Sequence, residues 1–305
     1  MIKFKYRTLF FTVLLIFYTG YLIKNWSILE KSGIRFDPFY LYCSGAVMIL
    51  FLLVYSFVLW LQLSISIPGT TFKTFTVVQT GAWLSRYIPG MAGVIGGKVF
   101  CGSRAGISKE ILLRAGFNEQ ILDFFISLFI CLLSCFLLIS NQTISIIYTF
   151  VILFLIALVI LKWNYIITSS FRRMYSKKLN AEDSKKIAMS DINPGRRYLI
   201  ILFLIISRIL YSLTTFFILK SVFLSTLINL KLIVITLVAD SLIKMIGQLF
   251  IILPFGIAIK EIILFIFLKG SLPFGIIMIG VFQTRLWQTF MDFICFFYYI
   301  KHKKK

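Results

Sequence analysis

Nine ionisable residues stand inside apolar stretches of this chain, and the chemistry they offer is the handling of charge. Glu119, Asp123, Arg208, Asp240, Lys244, Lys260, Glu261, Arg285 and Asp292 each interrupt a run dominated by Leu, Ile, Phe and Val. An ionisable group far from water costs several kcal/mol unless it is paired, so each is a functional candidate by default. Glu119 and Asp123 are four residues apart; a helix puts them on one face, where they repel unless cations sit close. Arg86, Lys98, Arg104 and Arg114, upstream, are available for that role. Asp240 and Lys244 have the spacing to pair within one helix, and Arg285 and Asp292, seven apart, share a face. Arg208 lies ten residues into its apolar segment, about 15 Å deep at ~1.5 Å per residue. That is too deep for its head to snorkel to water. Asp123 and Asp292 are both open to it as partners. With the upstream cations counted the set is basic, which suits a phosphate; Arg can bind one bidentately. The plainer reading is an ion-pair network that locks helices together and carries nothing.

Bond-making chemistry is poorly served. The only histidine, His302, sits in a basic tail, and the five cysteines have no metal-finger spacing. A Ser-His-Asp triad or a His-ligated metal site in the apolar part is therefore not expected. The expectation is a protein that is not an enzyme and uses no cofactor or metal.

The elements that must position these charges are membrane helices. The chain has 305 residues, of which 60% are hydrophobic and 17% aromatic, with mean hydropathy +0.96. That excludes an ordinary soluble domain. The segments are apolar all round rather than alternating, which excludes a β-barrel. Six spans are expected, near residues 8–23, 39–63, 116–140, 144–161, 198–222 and 274–300. The net charge of +21 is concentrated in the termini and in the loop 162–197. Basic loops mark the cytoplasmic side, so the charge reads as a topology signal, with no nucleic-acid partner implied. Both termini are expected in the cytoplasm and the protein in the plasma membrane.

Two segments are too apolar for loops and too interrupted for spans. Residues 64–114 contain Arg86, Pro89 and Gly90 between two short helical stretches, and residues 232–270 contain Pro254 and Gly256. Backbone breaks at membrane depth are tolerated where they are buried in protein or line a cavity. Each segment reads as a re-entrant helical hairpin, the first entering from the cytoplasm and the second from outside. That relation is an inverted repeat. Residues after Pro89-Gly90 and after Gly256 would open half-helices whose N–H groups favour anions. In the first hairpin Gly93, Gly97 and Cys101 recur every fourth residue, as do Ala92 and Gly96, a spacing that lets helices approach closely. The expected fold is thus all-α: one membrane domain of about six spans plus two oppositely oriented hairpins. Its first half is 1–161, a basic loop is 162–197 and its second half is 198–305.

The order of these features resembles the flippase-like membrane region of lysylphosphatidylglycerol synthase and its stand-alone relatives. Pro89-Gly90 with Gly96, Gly97 and Arg104 resembles the family's first motif. Glu119-Gln120-Ile121-Leu122-Asp123 matches its Glu-Arg-x-x-Asp element, with Gln in place of Arg. The run Pro254 to Glu261, one residue shorter, resembles its late Pro-x-x-Gly-x-Gly-x-Arg-Glu element, with Ala258, Ile259 and Lys260 departing from it. The resemblance implies movement between leaflets of an anionic or aminoacylated lipid, or of a polyprenyl-phosphate-linked sugar. Its partners would be lipids with anionic head groups. The competing expectations are a non-transporting partner of envelope lipid or glycan assembly proteins, and a membrane transferase that modifies a lipid.

Overall fold

The computed structural model describes residues 37–64, 67, 69–85, 91–138, 194–222, 230–249, 259–269 and 274–302. Among them are eight helices: α1 Pro38–Leu63, α2 Phe72–Leu84, α3 Met91–Arg104, α4 Lys109–Leu138, α5 Pro194–Val222, α6 Leu230–Leu249, α7 Ile259–Leu268 and α8 Phe274–His302. Among the described residues there is no strand. The expected spans 8–23 and 144–161, most of the basic loop, and Arg86, Pro89, Gly90, Pro254 and Gly256 lie outside the described residues. Lys260 and Glu261 fall in the first turn of α7, with their side chains outside the description.

Three helices, α1, α4 and α5, are long and apolar enough to cross a membrane. At ~1.5 Å per residue the 26 residues of α1 reach about 39 Å, more than a hydrocarbon core of ~30 Å. The helix α8 is as long, with 29 residues, but falls short of that apolarity. Its middle carries Gln283, Thr284, Arg285, Gln288 and Asp292.

The helix ends follow local chemistry. Asp37 caps α1, its Oδ1 accepting the Phe39 N–H at 2.9 Å, and Pro38 sits at the first position, where its missing N–H costs nothing. Between α3 and α4 the Ile107 N–H returns to the Gly102 carbonyl at 3.0 Å. This closure needs Gly106 at φ +84°, a conformation side chains disfavour. Ser108 then opens α4, its hydroxyl accepting the Ile111 N–H at 3.4 Å. Helix α4 thus starts seven residues before the apolar run does.

α1 lies along α5, α4 along α6, and α2 and α3 form an antiparallel pair against α1, α4 and α8. Three apolar clusters result. One joins α1, α4, α5 and α8 around Phe51, Leu122, Leu204 and Met291. Another joins α1 to α4 around Leu59, Phe75 and Leu112. The last joins α5 to α8 around Leu219, Ala239, Leu264 and Ile277. A polar seam runs between them.

Candidate functional site

The seam is centred on α4. Asp123 stands fourteen residues from the start of α4 and fifteen from its end. Arg208 is fourteen residues from either end of α5. Two helix midpoints therefore meet: the Arg208 Nη2 donates to Asp123 Oδ1 at 2.5 Å, with the two side chains 8% and 1% exposed. Lys244 of α6 reaches the other oxygen, Oδ2, at 2.9 Å. One carboxylate thus serves two cations from two helices. One turn earlier Glu119 takes the Lys98 ammonium from α3, and both side chains are fully buried.

Why these residues meet is a matter of packing. The antiparallel contact of α2 with α3 depends on Gly97. A Cβ there would collide with the Ser85 side chain and lie 3.0 Å from the Ala82 Cα. The Ser85 hydroxyl donates to the Gly93 carbonyl at 2.7 Å. The face formed by Gly93, Gly97 and Cys101 is therefore the one against α2. Gly96 lies off it and has open space around it. Seating α3 this closely lets Lys98 reach across to α4.

Residues not singled out by the sequence reading complete the seam. The Gln248 amide, one turn beyond Lys244, donates to the Gln120 carbonyl at 3.2 Å and to its side-chain oxygen at 3.0 Å. The Lys244 ammonium is 3.3 Å from that same oxygen. Tyr55 of α1 lies beside Lys98, with its ring centroid 5.4 Å from the ammonium. On the α8 side the Trp83 indole N–H donates to Asp292 at 3.2 Å, and the Gln288 amide to the Tyr211 hydroxyl at 3.2 Å. The usable signal was spacing: Lys244 and Gln248, like Glu119 and Asp123, are polar residues four apart in apolar runs.

Lys98, Glu119, Asp123, Arg208 and Lys244 are thus gathered into one buried network. Arg208 is paired with Asp123, while Asp292 belongs to a neighbouring contact with Trp83. Lys244 turns to Asp123, although Asp240 is one turn away on its own helix; Asp240 is itself buried and engaged. Arg285 is half-buried on α8. Arg104 is not in the network: it is exposed at the end of α3, its guanidinium 4.2 Å from the Phe100 ring centroid. Arg114 is buried near the start of α4. With Arg104 outside, the gathered set holds three cations against two carboxylates, a surplus of one where the sequence count has a surplus of three.

No known protein family, characterised protein or solved structure matches this chain.

Proposed function

We propose that this chain is a lipid translocase of the plasma membrane, which passes a lipid with a charged head group between leaflets along the seam between α4 and its neighbours. One observation carries the reading: Asp123, at the midpoint of α4, is shared by Arg208, at the midpoint of α5, and by Lys244 of α6. A bundle that needed only stability would be served as well by apolar side chains, because swapping a buried ion pair for packed hydrophobes is often neutral or stabilising. Charges kept at mid-depth are better accounted for by a charged cargo.

The hairpin topology belongs to the same proposal. Helices α2 and α3 have 13 and 14 residues, about 20 Å each at ~1.5 Å per residue, which is short of a full crossing. Their paired ends approach the middle of the bundle, where Trp83 meets Phe51 of α1 and Tyr211 of α5. A cytoplasmic hairpin with a counterpart around α6 and α7 would form two halves that rock about a fixed site. The lipid is an anionic or aminoacylated phospholipid or a polyprenyl-phosphate-linked sugar, as the motif resemblance implies.

The test is leaflet exchange in proteoliposomes carrying a labelled phospholipid, with and without the protein. Exchange accelerated by the wild type and abolished by Asp123→Asn with Arg208→Gln supports the proposal. No acceleration across a panel of anionic lipids rejects it. A second reading, a non-transporting scaffold for envelope assembly proteins, draws on the complete burial of the Lys98–Glu119 pair, which suits a locked structure. A scaffold would keep its partners and cellular role when those two charges are neutralised together.

A further inference from the structure

The pairs of the network are unequal, and the inequality points to a ligand subsite within the translocase reading, on which this inference rests. Lys98 and Glu119 pair one cation to one carboxylate, and both side chains are sealed from solvent. Asp123 instead carries two cations, so within the trio Asp123, Arg208 and Lys244 one positive charge is left over, the buried Asp240 being engaged in its own contact. Lys244 is the most accessible of the three cations: its side chain is 18% exposed, against 8% for Arg208. Its ammonium meets Asp123 Oδ2 at 2.9 Å.

Unused donors lie around the same point. The Nε of Arg208 and the side-chain Nε2 of Gln120 are buried with no hydrogen-bond partner among the described residues. The Gln120 donor is on the amide whose oxygen Lys244 approaches. Buried donors without acceptors are uncommon, because each has given up its hydration with nothing in return. Asp123, held by Arg208 Nη2 and the Lys244 ammonium, serves neither of them. A phosphodiester also presents two charged oxygens side by side, and adds ester oxygens as further acceptors. It carries one negative charge, which matches the surplus.

We infer that Arg208, Lys244 and the Gln120 amide form a subsite for one phosphodiester monoanion, with Asp123 as its resident competitor. On binding, the phosphate takes Lys244 and the free donors while Asp123 keeps Arg208. Two anions then face two cations, and no charge is stranded. No proton needs to move and no bond is made or broken.

The full-length protein in detergent is titrated calorimetrically with three probes: dihexanoyl-phosphatidylglycerol, dihexanoylglycerol without the phosphate, and inorganic phosphate. Charge-assisted hydrogen bonds contribute about 1.5–3 kcal/mol, so the phospholipid should bind about tenfold or more tighter than the phosphate-free lipid. Lys244→Gln should erase that preference and Lys244→Arg should restore it. Asp123→Asn should tighten binding about tenfold, because it removes the competitor; a purely structural role would weaken binding in both variants. Equal binding of the two lipids, an unaffected Lys244→Gln or a weakened, folded Asp123→Asn overturns the subsite. Where Asp123→Asn does not fold, the Gln and Arg variants of Lys244 decide alone. Inorganic phosphate binding as tightly as the phospholipid supports the subsite but counts against a lipid cargo. Leaflet exchange that persists unchanged in Lys244→Gln overturns the subsite and leaves the translocase standing.

Discussion

At the residue scale, the two acids of α4 have different dependencies. Glu119 relies on one cation, and both partners are wholly buried. Removing one partner leaves an uncompensated charge in a medium that cannot solvate it, at a cost of about 3–5 kcal/mol. Lys98→Met is therefore expected to destabilise the detergent-solubilised protein by that amount in denaturant or thermal melts. Adding Glu119→Leu should recover most of the loss, because the stranded charge is then gone. Equal melting of the single and double variants would show that the stranded carboxylate costs nothing. Spacing revealed that Glu119 and Asp123 share a face, because an interval of four residues fixes that on any helix. It could not name their partners, since these come from α3, α5 and α6, and the rotation of each neighbour is a tertiary matter. Arg104 shows the limit most plainly. It is on the same short helix as Lys98, but six residues place it on another face and at the helix end, where its head finds water and the Phe100 ring.

At the element scale, the glycine pattern of α3 was readable as a contact surface, and the structure divides its two stripes. The stripe holding Gly97 is pressed against Ala82 and Ser85, while Gly96 looks into open space. Gly97→Val is expected to wedge α2 from α3 and, by the few kcal/mol typical of overpacking, lower the melting temperature clearly. Gly96→Ala should leave it unchanged or slightly raised, since alanine is the better helix former by about 1 kcal/mol. Thermal melts of the two variants side by side test this; similar losses would refute the assigned face. Helix bounds were legible where hydropathy and helix coincide: the expected 39–63 and 198–222 are close to Pro38–Leu63 and Pro194–Val222. They diverge at α4, because hydropathy reports what lipid tolerates whereas the Gly106 turn and the Ser108 cap decide where helix begins. The expected span 274–300 coincides with α8, which is less apolar than the three spanning helices; Gln288 and Asp292, among the polar residues that dilute it, face the seam.

At the scale of the whole molecule, charge is sorted between the two ends of the bundle. Arg196 at the start of α5 donates to Ser64 at the end of α1 at 3.3 Å. The antiparallel α2 and α3 bring Lys73 and Arg104 together, and Lys109 follows at once. At the opposite end the Asp37 N–H of α1 donates to the Ser221 carbonyl of α5 at 2.9 Å, and Lys231 opens α6 a few residues later. Lys73, Arg104, Lys109, Arg196 and Arg197 thus crowd one end, where Glu110 is the nearby acid. Translocation across a membrane disfavours clustered Lys and Arg, so the crowded end should be cytoplasmic. Single cysteines placed in a background lacking the native five can test the orientation. An impermeant maleimide added to intact cells should label Asp37→Cys and Lys231→Cys. It should reach Lys73→Cys and Lys109→Cys only after permeabilisation. Leu84→Cys, at the far end of α2, should resist labelling from either side if the α2–α3 pair stops at mid-depth, as the short lengths of both helices imply. Labelling of Leu84→Cys from outside would mean that the pair crosses completely. The two halves would then lose the inverted relation on which rocking about Asp123 depends.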